Sequence, residues 1–216
     1  MDPWTVRATD WTSYHSAPYK TAPWFRRFTL RRILRALRRH ARDRAAPEIV
    51  ELGGANSCFF EEIARVLEPR LYHLVDNNDE GLARSRELAL RDPRVRVHRG
   101  SVLDLSLRLE ADLVMSVGLI EHFSRGDTRR AIDAHFDLVR PGGLVLMTFP
   151  TPTELYWITR RISELLGLWI FHDERPLERS EVLAATRRRG ELLESEIVWP
   201  VILTQGLVAV RKGPLS

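Results

Sequence analysis

An apolar strand that stops on paired glycines, answered one strand later by an aspartate, confines this chain to a narrow set of folds. Ile49, Val50 and Leu52 form the run, and it ends at Gly53-Gly54, where a backbone without side chains can turn sharply and let a ligand approach. A helix is predicted from near Ser57, capped by Asn56 or Ser57, with its first N–H groups facing the polar end of that ligand. The next apolar run, Leu71 to Val75, delivers Asp76 to the same edge of a sheet, with Asn77 beside it. A carboxylate in that place accepts both hydroxyls of a ribose. The pattern reads as a nucleoside-binding βαβ unit.

The glycines alone do not fix the ligand. Aligned from Gly53, the dinucleotide pattern G-x-G-x-x-G meets Ala55 and Cys58 where its later glycines belong. Glu51, two positions before Gly53, would repel a pyrophosphate and suits a ligand with an ammonium group. The tract Glu51-Leu-Gly53-Gly-Ala55-Asn-Ser57 resembles the E/D-x-G-x-G-x-G first motif of class I S-adenosylmethionine-dependent methyltransferases of the small-molecule type, with Ala55 and Ser57 in place of the later glycines. The resemblance implies S-adenosyl-L-methionine as cofactor, held by Glu51, Gly53, Gly54, Asn56, Asp76 and Asn77.

Further motifs follow in the family's order over residues 48 to 150. Leu82 to Leu90 has helical spacing, and Val95 to Gly100 alternates like a strand. Gly100-Ser101-Val102-Leu103-Asp104 resembles the adenine-contacting segment, with Ser101 where an acid is usual. That implies adenine contacts from Asp104 or Ser101 and from the Val102 backbone. The strand Ala111 to Gly118 and the following Glu121-His122 resemble the fourth motif, D-x-V-x-S-x-x-x-x-E-H, which adds Ser116 and Gly118 to the cofactor set. Arg129 to Val139 is a predicted helix, which Arg140-Pro-Gly-Gly143 stops before a fifth strand, Leu144 to Phe149. The implied fold is α/β: a doubly wound, Rossmann-like sheet of seven strands, mostly parallel with a C-terminal antiparallel pair, plus an N-terminal helical lid.

At 216 residues the chain suits one domain. It divides into a lid and basic helix (1–45), a cofactor core (46–150) and an acceptor region (151–216). The start, Met1-Asp-Pro-Trp, shows neither an apolar signal region nor a cleavage pattern, and no run has the length of a membrane span, so a cytoplasmic protein is expected. The single cysteine, Cys58, excludes an intrachain disulfide and is read as a small residue packing the first helix on the sheet. No compact Asp/Asn/His cluster of the catechol-methylating kind is evident, and no metal is expected.

Acceptor choice should be written in the chain's ends. Trp4, Trp11, Tyr14, His15 and Tyr19 crowd the N-terminal segment, where Tyr14, His15 and Lys20 can touch cofactor or acceptor, or the aromatics can simply pin the segment down. Trp24 to Arg44 is a basic helix with the apolar stripe Phe25, Phe28, Leu34, Leu37 and Ala41. Peripheral membrane contact or an anionic acceptor is set there against a solvated arginine face, the reading preferred because lysine occurs only at Lys20 and Lys212 and arginine is used nearly everywhere. The net charge of +4 therefore says little about partners. Nucleic acid is not expected, since Ser116-Val-Gly-Leu differs from the tetrad of amino-methylating nucleic-acid enzymes. Leu155, Ile158, Ile162, Leu165, Leu166 and Trp169 recur at helical spacing and are read as core plus pocket wall, with lipid contact the alternative. A helix from Ser180 to Arg188 with Ser180 as cap, then strands over Leu192 to Val198 and Leu203 to Arg211, complete the chain.

A hydroxyl acceptor needs a base, whereas an amine needs only to arrive unprotonated. His122 is the first candidate for the base, then His172 and His15; Glu121 is placed with the substrate, though Glu121 and His122 can instead orient their loop. The leading expectation is methylation of oxygen or nitrogen on a small molecule, such as a natural-product or glycan intermediate. A membrane-surface methyltransferase, a non-catalytic binding protein with this fold and, distantly, a nicotinamide-dependent dehydrogenase are the alternatives.

Overall fold

Residues 8–16, 22–41, 45–198 and 204–214 are described by the structure, a computed structural model. The apolar runs become β1 (Glu48–Leu52), β2 (Leu71–Asp76), β3 (Val95–Arg99), β4 (Ala111–Val117), β5 (Val139–Pro150), β6 (Gly190–Val198) and β7 (Gln205–Lys212). They form one sheet in the order β3-β2-β1-β4-β5-β7-β6. The first five strands are parallel, and β7 runs antiparallel between β5 and β6. Strand order reverses between β1 and β4, so the carboxyl ends of these neighbours open a crevice.

The helices are α1 (Trp11–Ser16), α2 (Ala22–His40), α3 (Phe60–Leu67), α4 (Asp79–Arg91), α5 (Arg125–Leu138), α6 (Glu154–Leu165) and α7 (Arg179–Thr186), with a 3₁₀ turn at Ile120–His122. Successive strand residues point to opposite faces, which divides the apolar runs between two cores. Ile49, Leu113, Leu144 and Leu207 join Ile33 and Leu37 of α2 and Ile63 of α3 on one face. Val50, Val114, Val145 and Val208 join Ile132 and Phe136 of α5 and Val182 of α7 on the other. Each fully buried Leu, Ile, Val or Phe contributes about 1.5–3 kcal/mol, so the two layers fix the sheet and with it the crevice.

Local chemistry sets the helix starts. Asn78 accepts from the Gly81 N–H at the head of α4, and Thr153 from Tyr156 at the head of α6. The first crossover helix begins at Phe60 rather than near Ser57; Ser57 still serves its orphan donors, its hydroxyl accepting from the N–H groups of Phe59 and Phe60. The last helix begins one residue before Ser180, after Glu178, so Ser180 lies inside it and is not its cap. β5 absorbs the Arg140-Pro-Gly-Gly143 junction, because Val139 already pairs with Ala111 before a register shift leads to the pair Leu113 and Leu144.

Two amphipathic readings change in the structure. On α2 the buried positions include Ile33 and Ala36 beside Leu34 and Leu37, with Ala41 buried just beyond its end, and acids of β6 answer part of the basic face: Arg39 lies 3.3 Å from Glu194 and Arg32 3.5 Å from Glu196. Trp4, Tyr19, Arg42 and Arg44 lie outside the described residues. On α6 the apolar stripe is turned outward: Ile158, Ile162 and Leu165 are 58, 51 and 75% exposed. The buried face is instead Tyr156 and Arg160. The Arg160 guanidinium donates to Glu164 and to the Glu174 carbonyl and lies 5.1 Å from the Trp169 ring, and these partners hold the polar face inward.

Candidate active site

The crevice is built first from backbone. Gly53 has a φ of 69°, and the N–H groups of Gly53 and Gly54 both donate to the Val75 carbonyl, at 2.9 and 3.2 Å. A Cβ on Gly53 would stand 3.0 Å from Leu119 Cδ1, and one on Gly54 would stand 3.0 Å from both the Glu51 carbonyl and Leu74 Cδ2. Asp76 ties this turn to the next, its carboxylate accepting from Ala55 N–H at 3.0 Å and Asn78 N–H at 2.8 Å. A carboxylate has about four acceptor positions, so capacity for ribose hydroxyls remains. Glu51 is buried, and its Oε2 accepts from the Ser57 hydroxyl and the Tyr72 phenol, both at 2.7 Å. Burial raises its pKa and the two hydroxyls pull it back.

A cavity of about 420 Å³ runs from this turn to the 3₁₀ turn and the segment after α6. Of the residues singled out for the cofactor, Glu51, Gly53, Asn56, Asp76, Asn77 and Gly118 line it. Gly54 is buried beneath the turn. Ser101, Val102 and Asp104 are not in the wall; Asp104 N–H donates to the Ser101 carbonyl at 3.0 Å and Leu103 N–H to the Ser101 hydroxyl at 3.2 Å, which closes that loop on itself. Ser116 also misses the cavity. Its hydroxyl is fully buried 2.9 Å from Nε2 of His135 on α5, because strand alternation turns it away from the face its neighbour Val117 presents.

The far end of the cavity joins the 3₁₀ turn to the loop before α7. Nδ1 of His122 meets Oδ1 of Asp173 at 2.9 Å, and Thr9 donates its hydroxyl to the same oxygen. Trp11 stands edge-on to the His122 ring at 4.8 Å, while Tyr14, also in the wall, accepts from Arg26 at 2.6 Å. The side chain of Thr12 accepts from Asn78, so α1 bridges the two ends as one wall. Phe171 and Asp173 line the cavity and His172 between them does not, which leaves His122 as the candidate base at the site. Lys20 lies outside the described residues, as does the side chain of His15.

Three groups that sequence reasoning missed complete this end: Asp173, Glu174 and Tyr156. The only signal was that Asp173 and Glu174 directly follow His172. Glu174 accepts from the Tyr156 phenol at 2.6 Å and is 9% exposed. Glu121 is 2% exposed, and no described hydrogen bond reaches its Oε2. Burial pushes the Glu121 carboxyl up to about 8, against the pull of His122. Burial also works against the His122 imidazolium, but Asp173, Glu121 and Glu174 outweigh it and raise that pKa. Asp173 is held down to about 2, the hydrogen bonds from His122 and Thr9 exceeding the opposing effect of burial. One ligand-capable atom each from Glu121, His122 and Glu174 lies within 4.8 Å of the others, a grouping able to take a cation, whereas no metal is expected from the sequence.

Cys58 precedes α3 instead of packing it on the sheet. It opens into the cavity wall, and enclosure by surrounding protein pushes its thiol up to about 11 despite Arg26 nearby, which counts against a reactive thiolate.

Residues 49–143 match the model of a methyltransferase domain family. Over that span, 95 of the 216 residues, the chain is similar to a methyltransferase domain. No curated protein matches the sequence. Among solved structures the chain is similar to N-methyltransferase NodS from Bradyrhizobium japonicum WM9 with S-adenosyl-L-homocysteine, at 16% identity over 87% of this chain and 88% of that one, with a TM-score of 0.66. It is also similar to magnesium protoporphyrin IX methyltransferase from Synechocystis PCC 6803 with the same ligand, at 10% identity, 86 and 82% coverage and a TM-score of 0.68. A protein of Pyrococcus horikoshii OT3 shares 16% identity, with 86 and 90% coverage and a TM-score of 0.67. At these identities the likeness is one of fold. The residues present fit the cofactor: a Cβ at Gly53 or Gly54 would be crowded at 3.0 Å, the Asp76 carboxylate lines the cavity with acceptor capacity left, and Glu51 lines it with no arginine or lysine bonded to it among the described contacts.

Proposed function

We propose that the methyltransferase acts on a small-molecule acceptor, at oxygen or nitrogen, held at the His122 end of the cavity. The observation that carries this reading is the His122–Asp173 pair in the same cavity as Gly53 and Asp76. Asp76 and Asn77 would hold the ribose of the cofactor, Glu51 its ammonium group, and the Gly53 turn its methionine portion. When bound, S-adenosylmethionine supplies an electrophilic methyl carbon, whose bond to sulfur breaks as the acceptor bonds to it and leaves the electron pair on sulfur.

What remains for the chain is to position the acceptor and manage a proton. Asp173 takes the Nδ1 proton of His122 as a hydrogen bond, which leaves Nε2 as the proton acceptor in the neutral ring. Trp11 and Phe171 flank that ring and limit the water around it. His122→Ala should leave S-adenosylhomocysteine affinity nearly intact and lower turnover about 10²–10⁴-fold; wild-type turnover would exclude a base at this position.

We place the enzyme in the cytoplasm. Among the described residues no helix is long and apolar enough to cross a membrane. One observation supports a second reading, an acceptor met at a membrane surface: the outward stripe of Ile158, Ile162 and Leu165 continues into Leu166 and Leu168, both exposed. Co-sedimentation with phosphatidylglycerol vesicles tests it, and its absence for the wild-type protein rejects it.

A further inference from the structure

We propose that the acceptor is an organic amine, docked as its ammonium between the Glu121 and Glu174 carboxyls and enclosed by aromatic side chains. The proposal rests on the methyl-transfer reading and names its substrate class.

Charge leads to it first. Three carboxyls line this end of the cavity, and the described hydrogen bond of His122 reaches only Asp173 among them. Glu174 receives the Tyr156 phenol, a neutral donor, while the Arg160 guanidinium donates to the Glu174 backbone carbonyl and offsets part of its charge. Glu121 receives nothing at its buried Oε2. Arg26 is the one arginine or lysine among the described lining residues, and its guanidinium is engaged with Tyr14. A buried acceptor without a donor is costly, more so when ionised. A ligand bringing both N–H donors and positive charge satisfies that acceptor and favours its carboxylate form. An alcohol brings one donor and no charge, and an anion is repelled.

Shape points the same way. Tyr14, Trp11, Trp169 and Phe171 form a continuous aromatic wall, with Tyr14–Phe171, Trp11–Phe171 and Trp169–Phe171 centroids at 5.6, 6.0 and 6.0 Å. Tyr156 extends it, 6.1 Å from Trp169. Aromatic faces attract an organic cation and supply none of the oxygen ligands that a hard metal ion requires. For transfer the ammonium proton passes to Nε2 of His122, the base of the methyl-transfer reading. The freed nitrogen lone pair then bonds the methyl carbon as its bond to sulfur breaks.

Titration calorimetry of the full chain decides the matter. S-adenosylhomocysteine is titrated first. Benzylamine and phenethylamine are then titrated against benzyl and phenethyl alcohol into the saturated and the free protein, and magnesium and manganese chloride are titrated separately. The amines should bind at least about tenfold tighter than the matched alcohols, and Glu121→Gln and Glu174→Gln, checked for native melting, should each reduce that ratio. Equal affinity or no amine binding in the wild type overturns the proposal without any variant. Saturable metal binding lost in Glu121→Gln, with no amine preference, overturns it in favour of a metal site. A protein that binds the amines but not S-adenosylhomocysteine keeps the cage and loses the methyl-transfer reading; the reverse result loses the cage alone.

Discussion

Nδ1 of His122 and Oδ1 of Asp173, 51 residues apart in the chain, meet at 2.9 Å in the wall of the cavity. The contact couples the turn after β4 to the loop before α7, and it sets the protonation of both partners. His122 must be neutral to accept a proton, and its pKa is raised, so turnover should increase with pH through a value above 6.5. Asp173→Asn removes the charge that favours imidazolium, and the rising limb should move to lower pH. A pH–rate profile checks this; an unmoved limb would show that His122 does not gate the reaction.

The same pair contributes to stability. Asp173 is lowered from 3.8 to about 2, so its contribution is present above pH 3.8 and is lost as pH falls through about 2. Glu121 has the opposite sign. Its folded-state pKa of about 8 lies above the ordinary 4.5, so the folded protein holds an extra proton between these values and stability falls as pH rises across that window. Glu121→Gln should flatten the decline, which melting temperatures measured at the two ends of the window will show. A variant that declines as steeply as the wild type would contradict the assignment.

Asp76→Ala removes the acceptor for the Ala55 and Asn78 N–H groups as well as for a ribose. Charge-assisted hydrogen bonds contribute about 1.5–3 kcal/mol each, so affinity for S-adenosylhomocysteine should drop at least about tenfold. Unchanged affinity by calorimetry would detach Asp76 from the cofactor.

Gly53→Ala tests the turn. The left-handed backbone costs a non-glycine residue about 1–2 kcal/mol, and the added Cβ would press on Leu119 at 3.0 Å. Both stability in urea and cofactor affinity should fall. A neutral outcome would mean that the turn can relax without consequence.

The features legible in the sequence are those encoded by near neighbours. Ile49 to Gly54, Asp76 and the alternating run Leu144 to Phe149 announce strand, turn and sheet edge by local period and side-chain size, and the strand order follows from chaining such units. Contacts across the fold leave no such trace. Asp173 and Glu174 reach Glu121 and His122 only because the loop before α7 folds back onto the turn after β4, where Arg175 N–H donates to the Glu121 carbonyl, and nothing in the tract His172-Asp-Glu-Arg says which of its side chains turns inward. Ser116 reads as a site residue from its motif, yet its partner is His135, which no period connects to it. On α6 the apolar spacing points to Ile158, Ile162 and Leu165 as the buried face, whereas a paired and stacked Arg160 is buried instead. Hydrophobic periodicity does not register a buried cation that brings its own partners.

A crystal structure of the chain with S-adenosylhomocysteine tests the central claim, that one cavity seats the cofactor at Asp76 and presents its sulfur to the Glu121, His122 and Glu174 end. Both ribose hydroxyls should lie within hydrogen-bonding distance of the Asp76 carboxylate, the homocysteine ammonium beside Glu51, and the sulfur should face His122. A ribose away from Asp76, or a sulfur pointing away from His122, would contradict it.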